Sequence, residues 1–124
     1  SYTDTHFQVM SAAVTGKNDV VIAVTLSGET PDILETLTVA KKNKSKIIVI
    51  TNHILSAAAQ MANHVLLTAG RETLIDGGSL IAKMSQLYII DVLCTGYALQ
   101  NKDESLKMKH NTAEAVVRKN SGVK

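Results

Sequence analysis

The chain has 124 residues, of which 45% are hydrophobic and only 3% aromatic, and its formal net charge is +2. This length suffices for one domain, whose core has to be built from aliphatic side chains. The near-neutral charge argues against nucleic-acid binding by these residues themselves, and no apolar run is long enough to span a membrane.

Hydrophobic periodicity predicts helices and strands in alternation. In chain order we expect a helix over residues 4–14, strand 20–25, helix 31–43, strand 46–51, helix 55–63, strand 64–68, helix 80–99 and helix 104–119. The first two strands are almost continuously apolar, which is typical of strands buried on both faces. Strands that alternate with helices form right-handed crossovers, so the sequence predicts an α/β fold with a parallel sheet.

The segment after the first strand combines hydroxyls, a glycine and a helix start. Ser27, Gly28 and Thr30 follow the strand, and Pro31 opens the next helix. The first N–H groups of a helix have no intrahelical partner and lie at the positive end of its dipole. This arrangement suits an oxyanion, above all a phosphate monoester. The alternative is an ordinary turn with Thr30 as N-cap and Pro31 at the first helical position.

The other strands also end in polar residues. Thr51 closes the second strand, Thr68 closes the third, and Ser79 is a candidate N-cap of the long helix. Ligands of parallel sheets bind beyond the carboxyl ends of the strands. We therefore expect these side chains to lie on one rim with the segment after the first strand.

Cys94 is the only cysteine, so an intrachain disulfide is impossible and a reducing, cytoplasmic setting is expected. It lies in an apolar helical run, where a cysteine is expected to be buried. The histidines lack metal-ligand spacing and no cofactor is implied; they are His6, His53, His64 and His110.

Several segments occur in an order and spacing that together resemble one family: Asp4-Thr5-His6-Phe7-Gln8, Ser27-Gly28-Glu29-Thr30, Ile50-Thr51-Asn52, Val65-Leu66-Leu67-Thr68, Gly70-Arg71-Glu72, Ser79, Gln86-Leu87 and Ile90-Asp91-Val92-Leu93. Over about residues 4–100 the chain resembles a SIS (sugar isomerase) domain. The resemblance is closest to the effector domain of RpiR/MurR-type bacterial transcriptional regulators.

This resemblance implies a three-layer α/β/α, flavodoxin-like fold that binds a phosphorylated sugar. The family's Ser-x-Ser-Gly-x-Thr loop matches residues 25–30, with a threonine at its first position. By resemblance the ligand pocket takes Thr25, Ser27, Gly28, Thr30, Thr51 and Ser79.

The family's first strand, with its Gly-x-Gly-x-Ser loop, and the regulators' helix-turn-helix domain are expected upstream of Ser1. Residues 1–124 are then a single SIS-type domain without its first strand. DNA binding is implied only through the absent N-terminal domain, and no membrane partner is expected.

Two functions stay open, together with a third by fold analogy. A ligand-sensing domain is favoured because no acid–base pair is evident. A sugar-phosphate isomerase needs a base to move a proton between carbons, and Glu29, Glu72 and His53 are its candidates, although loop carboxylates are more often merely solvated. A flavin- or nucleotide-binding module is disfavoured by the few aromatic residues.

The long helix is apolar on several sides. Its large apolar residues include Leu80, Ile81, Met84, Leu87, Tyr88, Val92 and Tyr97. A helix of this kind is covered on several sides in the folded protein. We predict a homodimer through residues 80–99, the alternative being burial in a part of the domain that the chain lacks.

Overall fold

A computed structural model of the chain describes residues 4–68, 80–102 and 106–113. Its elements are α1 Thr5–Ala13, β1 Val20–Val24, α2 Pro31–Lys42, β2 Lys46–Thr51, α3 Ala57–Met61, β3 His64–Leu67 and α4 Leu80–Gln100. Residues 106–113 are also helical. The predicted α/β alternation is confirmed, although α3 is shorter than predicted.

The sheet is parallel throughout, with strand order β1-β2-β3. Val24 lies opposite Ile50, and Thr51 lies opposite Leu67. The backbone N–H of Thr25 donates to the carbonyl of Ile50 at 3.0 Å, which continues the ladder beyond β1. The carboxyl ends of all three strands therefore meet at one edge of the sheet, as the sequence predicts.

Aliphatic side chains of α1, α2, β2 and α3 form one core on one face of the sheet. Its buried members are Ala12, Leu37, Ala40, Ile47, Val49 and Ala58. Burying a leucine or isoleucine of this kind contributes about 1.5–3 kcal/mol each. The aliphatic core expected from the composition is thus confirmed among the described residues.

One expectation for β1 is wrong. Val20 and Ile22 are 53% and 50% exposed, so the strand is not buried on both faces. The cause is the packing of the helices, because the core helices that the structure describes lie on the face of β1 that carries Val21 and Ala23. Among the described residues, nothing buries the opposite face of β1, whose side chains are exposed along the whole strand.

Contacts divide the chain into two compact units, Ser1–Ile89 and Ile90–Lys124, with the boundary inside α4. The prediction of a single domain over 1–124 stays a prediction.

Ala82 is the buried residue of α4, and most large apolar side chains of this helix are exposed. Cys94 is exposed as well, so the expectation that it is buried is wrong for the single chain. None of the helices in the described ranges combines the length and hydropathy that crossing a membrane requires.

Candidate functional site

The β1–α2 loop, residues 25–30, turns sharply at Gly28. This glycine has φ +72°, a left-handed backbone conformation that residues other than glycine rarely adopt. A Cβ added there would overlap Oγ of Ser56 and would lie 3.3 Å from Oγ1 of Thr51. The turn therefore requires glycine for its dihedral angle and for its close approach to the segment that follows β2.

Two hydroxyls stabilise this turn from within. Oγ1 of Thr25 accepts the N–H of Gly28 at 3.1 Å, and Oγ of Ser27 accepts the N–H of Glu29 at 3.3 Å. Thr25 is only 5% exposed, whereas Ser27 is half-buried. A hydroxyl that accepts one hydrogen bond keeps its own proton to donate. Ser27 is thus the more accessible hydroxyl donor of the two.

Two carbonyls of the loop point toward the β2–α3 segment, residues 51–58. The carbonyl of Leu26 accepts from Oγ1 of Thr51 at 3.1 Å and from the N–H of Asn52 at 3.2 Å. The carbonyl of Gly28 accepts the N–H of Ala58 at 3.0 Å. The loop is consequently bound along its inner side to its neighbour in the sheet.

These hydrogen bonds fix the direction of the loop amides. In a trans peptide the N–H points opposite to the carbonyl of the same peptide unit, and the described chain has no cis bond. The N–H groups of Ser27 and Glu29 therefore point away from the β2–α3 segment. On this side Oγ of Ser27 accepts the N–H of Glu29, so the donors that the loop offers to an anion are the N–H and the hydroxyl of Ser27.

The start of α2 lacks a side-chain cap. Thr30 is the N-cap residue and Pro31 is at the first position, as predicted, but no hydrogen bond joins the Thr30 side chain to the helix. By contrast, Asp4 caps α1 and Ser56 caps α3 with side-chain oxygens. Since the first N–H groups of a helix have no intrahelical partner, α2 presents uncapped donors next to the loop.

A hydrogen-bond network links the ends of the three strands. Thr51 is fully buried, and its Oγ1 donates to the loop while accepting the N–H of His53 at 3.3 Å. Oγ1 of Thr68 donates to Oδ1 of Asn52. Thr51 therefore supports the loop from behind, and its predicted place in the pocket wall stays a prediction.

The isomerase candidates are placed differently. Oε1 of Glu29 accepts the N–H of Ala57 at 2.8 Å, and His53 is exposed beyond the end of β2. Glu72 and Ser79 lie outside the described residues. Within the described ranges, no three His, Cys, Asp or Glu side chains cluster as metal ligands.

Sequence reasoning missed Ser56, which packs against Gly28 and caps α3 through the N–H of Ala59. Its signal is a serine directly before a run of alanines, a typical N-cap pattern. The contact of Glu29 with Ala57 has no comparable local signal, because 28 residues separate the two.

An apolar groove of about 400 Å³ lies between α1, β1 and α2. None of the predicted ligand residues lines it. The polar rim at the strand ends, rather than this groove, gathers the predicted residues that the structure describes: Thr25, Ser27, Gly28, Thr30 and Thr51.

Comparison with known proteins identifies relatives of the chain among transcriptional regulators. The chain is 34% identical over 105 residues to the HTH-type transcriptional regulator RpiR of Escherichia coli K12, covering 85% of the chain and 36% of the regulator. It is 29% identical to an uncharacterised HTH-type regulator of Clostridium perfringens, covering 93% of the chain and 41% of that protein. The chain thus spans about two fifths of the length of these relatives.

The chain is also similar to a solved structure. The Vibrio vulnificus NanR protein complexed with ManNAc-6P has a TM-score of 0.79 and 27% identity, covering 94% of this chain and 44% of NanR. The family described as "SIS domain" matches residues 1–96. On this match, together with the parallel sheet and its polar rim, the chain belongs to the SIS domain family.

Proposed function

We propose that the chain is the phosphosugar-sensing effector domain of an RpiR-type transcriptional regulator. The phosphate is bound by the β1–α2 loop and the start of α2. The uncapped N-terminus of α2, beside the outward-pointing N–H and the hydroxyl of Ser27, carries this proposal. Ser79 is assigned to the site by resemblance alone. Five described residues form or support the site: Thr25, Ser27, Gly28, Thr30 and Thr51.

The ligand class follows from the donors. N–H groups and hydroxyls without a fixed cation suit an oxyanion that is bound by hydrogen bonds and a helix dipole. A phosphate monoester of a sugar adds hydroxyls that strand-end side chains recognise. The NanR structure, solved with ManNAc-6P, supports an amino-sugar phosphate as the first ligand to test.

The regulatory role extends beyond this chain. We propose that two copies associate through residues 80–99, that DNA is bound by another domain of the full-length protein, and that the protein acts in the cytoplasm. Ligand binding changes DNA affinity only if the ligand binds two arrangements of the dimer with different affinity. The exposed apolar residues of α4 support the dimer.

The test is a titration with hexose, pentose and amino-sugar phosphates, followed by phosphorus NMR over several hours. We expect one ligand resonance to shift or broaden without any new resonance. Ser27→Ala should abolish the change, while Ser11→Ala, a serine of α1 outside the rim, should leave it intact.

Two outcomes contradict the proposal. A product resonance that grows with time identifies a sugar-phosphate isomerase, in which Glu29, Glu72 and His53 become the candidate acid–base groups. The absence of any perturbation by the whole panel, in protein shown by NMR to be folded, removes the sensor function from this loop.

A further inference from the structure

Glu29 is the one side chain of the β1–α2 loop with a hydrogen bond to the β2–α3 segment among the described residues. The hydroxyls of Thr25 and Ser27 accept N–H groups of the loop itself. Glu29 instead accepts the N–H of Ala57, and this bond joins residues 28 positions apart. It therefore differs in kind from the contacts that merely shape the turn.

The loop also supplies most of the N-terminal cap of α3. The N–H of Ala57 donates to Oε1 of Glu29 at 2.8 Å, and the next N–H, of Ala58, donates to the carbonyl of Gly28 at 3.0 Å. Only the third, of Ala59, is capped locally by Ser56. Two adjacent N–H groups of α3 thus bind two adjacent residues of the loop.

This double contact bears on the direction of one peptide unit. The carbonyl of Gly28 and the N–H of Glu29 belong to the same planar group, so holding the carbonyl on α3 holds the N–H outward. The carboxylate of Glu29 makes the second, charge-assisted contact beside it. Without that contact, the peptide would keep only the bond of its carbonyl to Ala58 and the longer bond of its N–H to Oγ of Ser27, at 3.3 Å.

We propose that Glu29 is a positioning residue for the ligand: by binding the N–H of Ala57 it keeps the Gly28–Glu29 peptide oriented, so that the N–H of this peptide holds Oγ of Ser27 and the Ser27 hydroxyl proton is left to donate to the phosphate. This inference rests on the proposed function. It assigns to Glu29 neither proton transfer nor direct contact with the ligand.

The experiment compares three substitutions of Glu29, which distinguish the effects of its acceptor oxygen, its side-chain length and its charge. Glu29→Gln keeps a side-chain oxygen at the same reach, Glu29→Asp shortens the side chain, and Glu29→Ala removes it. Glu35→Ala, an exposed carboxylate of α2, is the control for lost charge. Each protein is titrated with inorganic phosphate and with ManNAc-6P, and its amide spectrum is recorded without ligand.

We expect Glu29→Ala and Glu29→Asp to weaken both ligands about tenfold, the effect of losing a hydrogen bond to a charged group. Glu29→Gln should bind within about threefold of the wild type, since a neutral acceptor keeps the contact. The Ala57 amide resonance should move in the alanine variant and stay close to its original position in the glutamine variant.

Equal binding by all variants overturns the inference, and so does a glutamine variant as weak as the alanine variant, which would assign the effect to charge. The experiment distinguishes a failure of the proposed function from a failure of the inference about Glu29. If the wild type binds neither probe, the proposed function fails, whereas an unmoved Ala57 amide in Glu29→Ala contradicts the anchor itself.

Discussion

Among the residues of the loop, Thr30 is the one whose substitution best distinguishes a role in stability from a role in ligand binding. An N-cap threonine that accepts a helix N–H contributes about 1 kcal/mol to stability. The side chain of Thr30 makes no such bond and is exposed. Thr30→Ala should therefore change the free energy of unfolding by less than about 0.5 kcal/mol, and should weaken phosphate binding several-fold through the lost donor.

Urea unfolding and ligand titration of the same variant test this prediction. Asp4→Ala is the matched control, because Oδ1 of Asp4 accepts the N–H groups of His6 and Phe7 at the start of α1. It should lose about 1 kcal/mol of stability and keep its ligand affinity. A Thr30→Ala variant that loses stability while binding normally would make Thr30 an ordinary cap.

The sequence predicts which residues gather at the rim but not what each hydroxyl does. Thr25, Ser27 and Thr51 all lie at or just beyond the end of a strand and are equivalent as motifs. Their difference arises from tertiary placement, since Thr51 is enclosed behind the loop and its hydroxyl donates to the carbonyl of Leu26. A short motif cannot predict this, because the partner lies 25 residues away.

At the scale of elements, β1 and β2 show the same limit. Both are apolar runs, and both are strands where the sequence predicts them. Residues Val49 to Thr51 of β2 are buried, whereas one face of β1 is open. Periodicity reports the local conformation, but whether helices cover both faces of a strand is decided by the packing of distant segments.

The exposed apolar side chains of α4 carry the prediction of a dimer. Large exposed apolar patches mark interaction sites, and most large apolar side chains of α4 are exposed. Leu87 is 65% exposed, and burying it at an interface contributes about 1.5–3 kcal/mol per copy. A two-fold interface contains it twice, so Leu87→Lys should raise the dissociation constant of the dimer about a hundredfold or more.

Sedimentation velocity at micromolar concentration measures this effect directly. Val14→Lys is the control for an exposed apolar residue away from α4, because Val14 ends α1 and is 85% exposed. It should leave the association unchanged. A wild-type chain that sediments as a monomer over the whole concentration range would contradict the proposed dimer.

At the scale of the whole molecule, the loop is bound to β2 and α3 and therefore belongs to the core of its unit. Leu26 and Gly28 are hydrogen-bonded to the β2–α3 segment, whose residue Ala58 is a member of the core cluster. A ligand that binds the folded loop and not the unfolded chain stabilises everything that unfolds with it. The unit Ser1–Ile89 should accordingly gain stability as one body.

The size of this gain is set by mass action. At a ligand concentration one hundred times the dissociation constant, the unfolding free energy should rise by about 2.7 kcal/mol. Urea unfolding with the best sugar phosphate should show a higher midpoint and an unchanged slope, since the surface exposed on unfolding is the same. The same sugar without its phosphate should have little effect, because the donors at the start of α2 then lose their anion. Equal stabilisation by the unphosphorylated sugar would indicate that the ligand binds outside the β1–α2 loop.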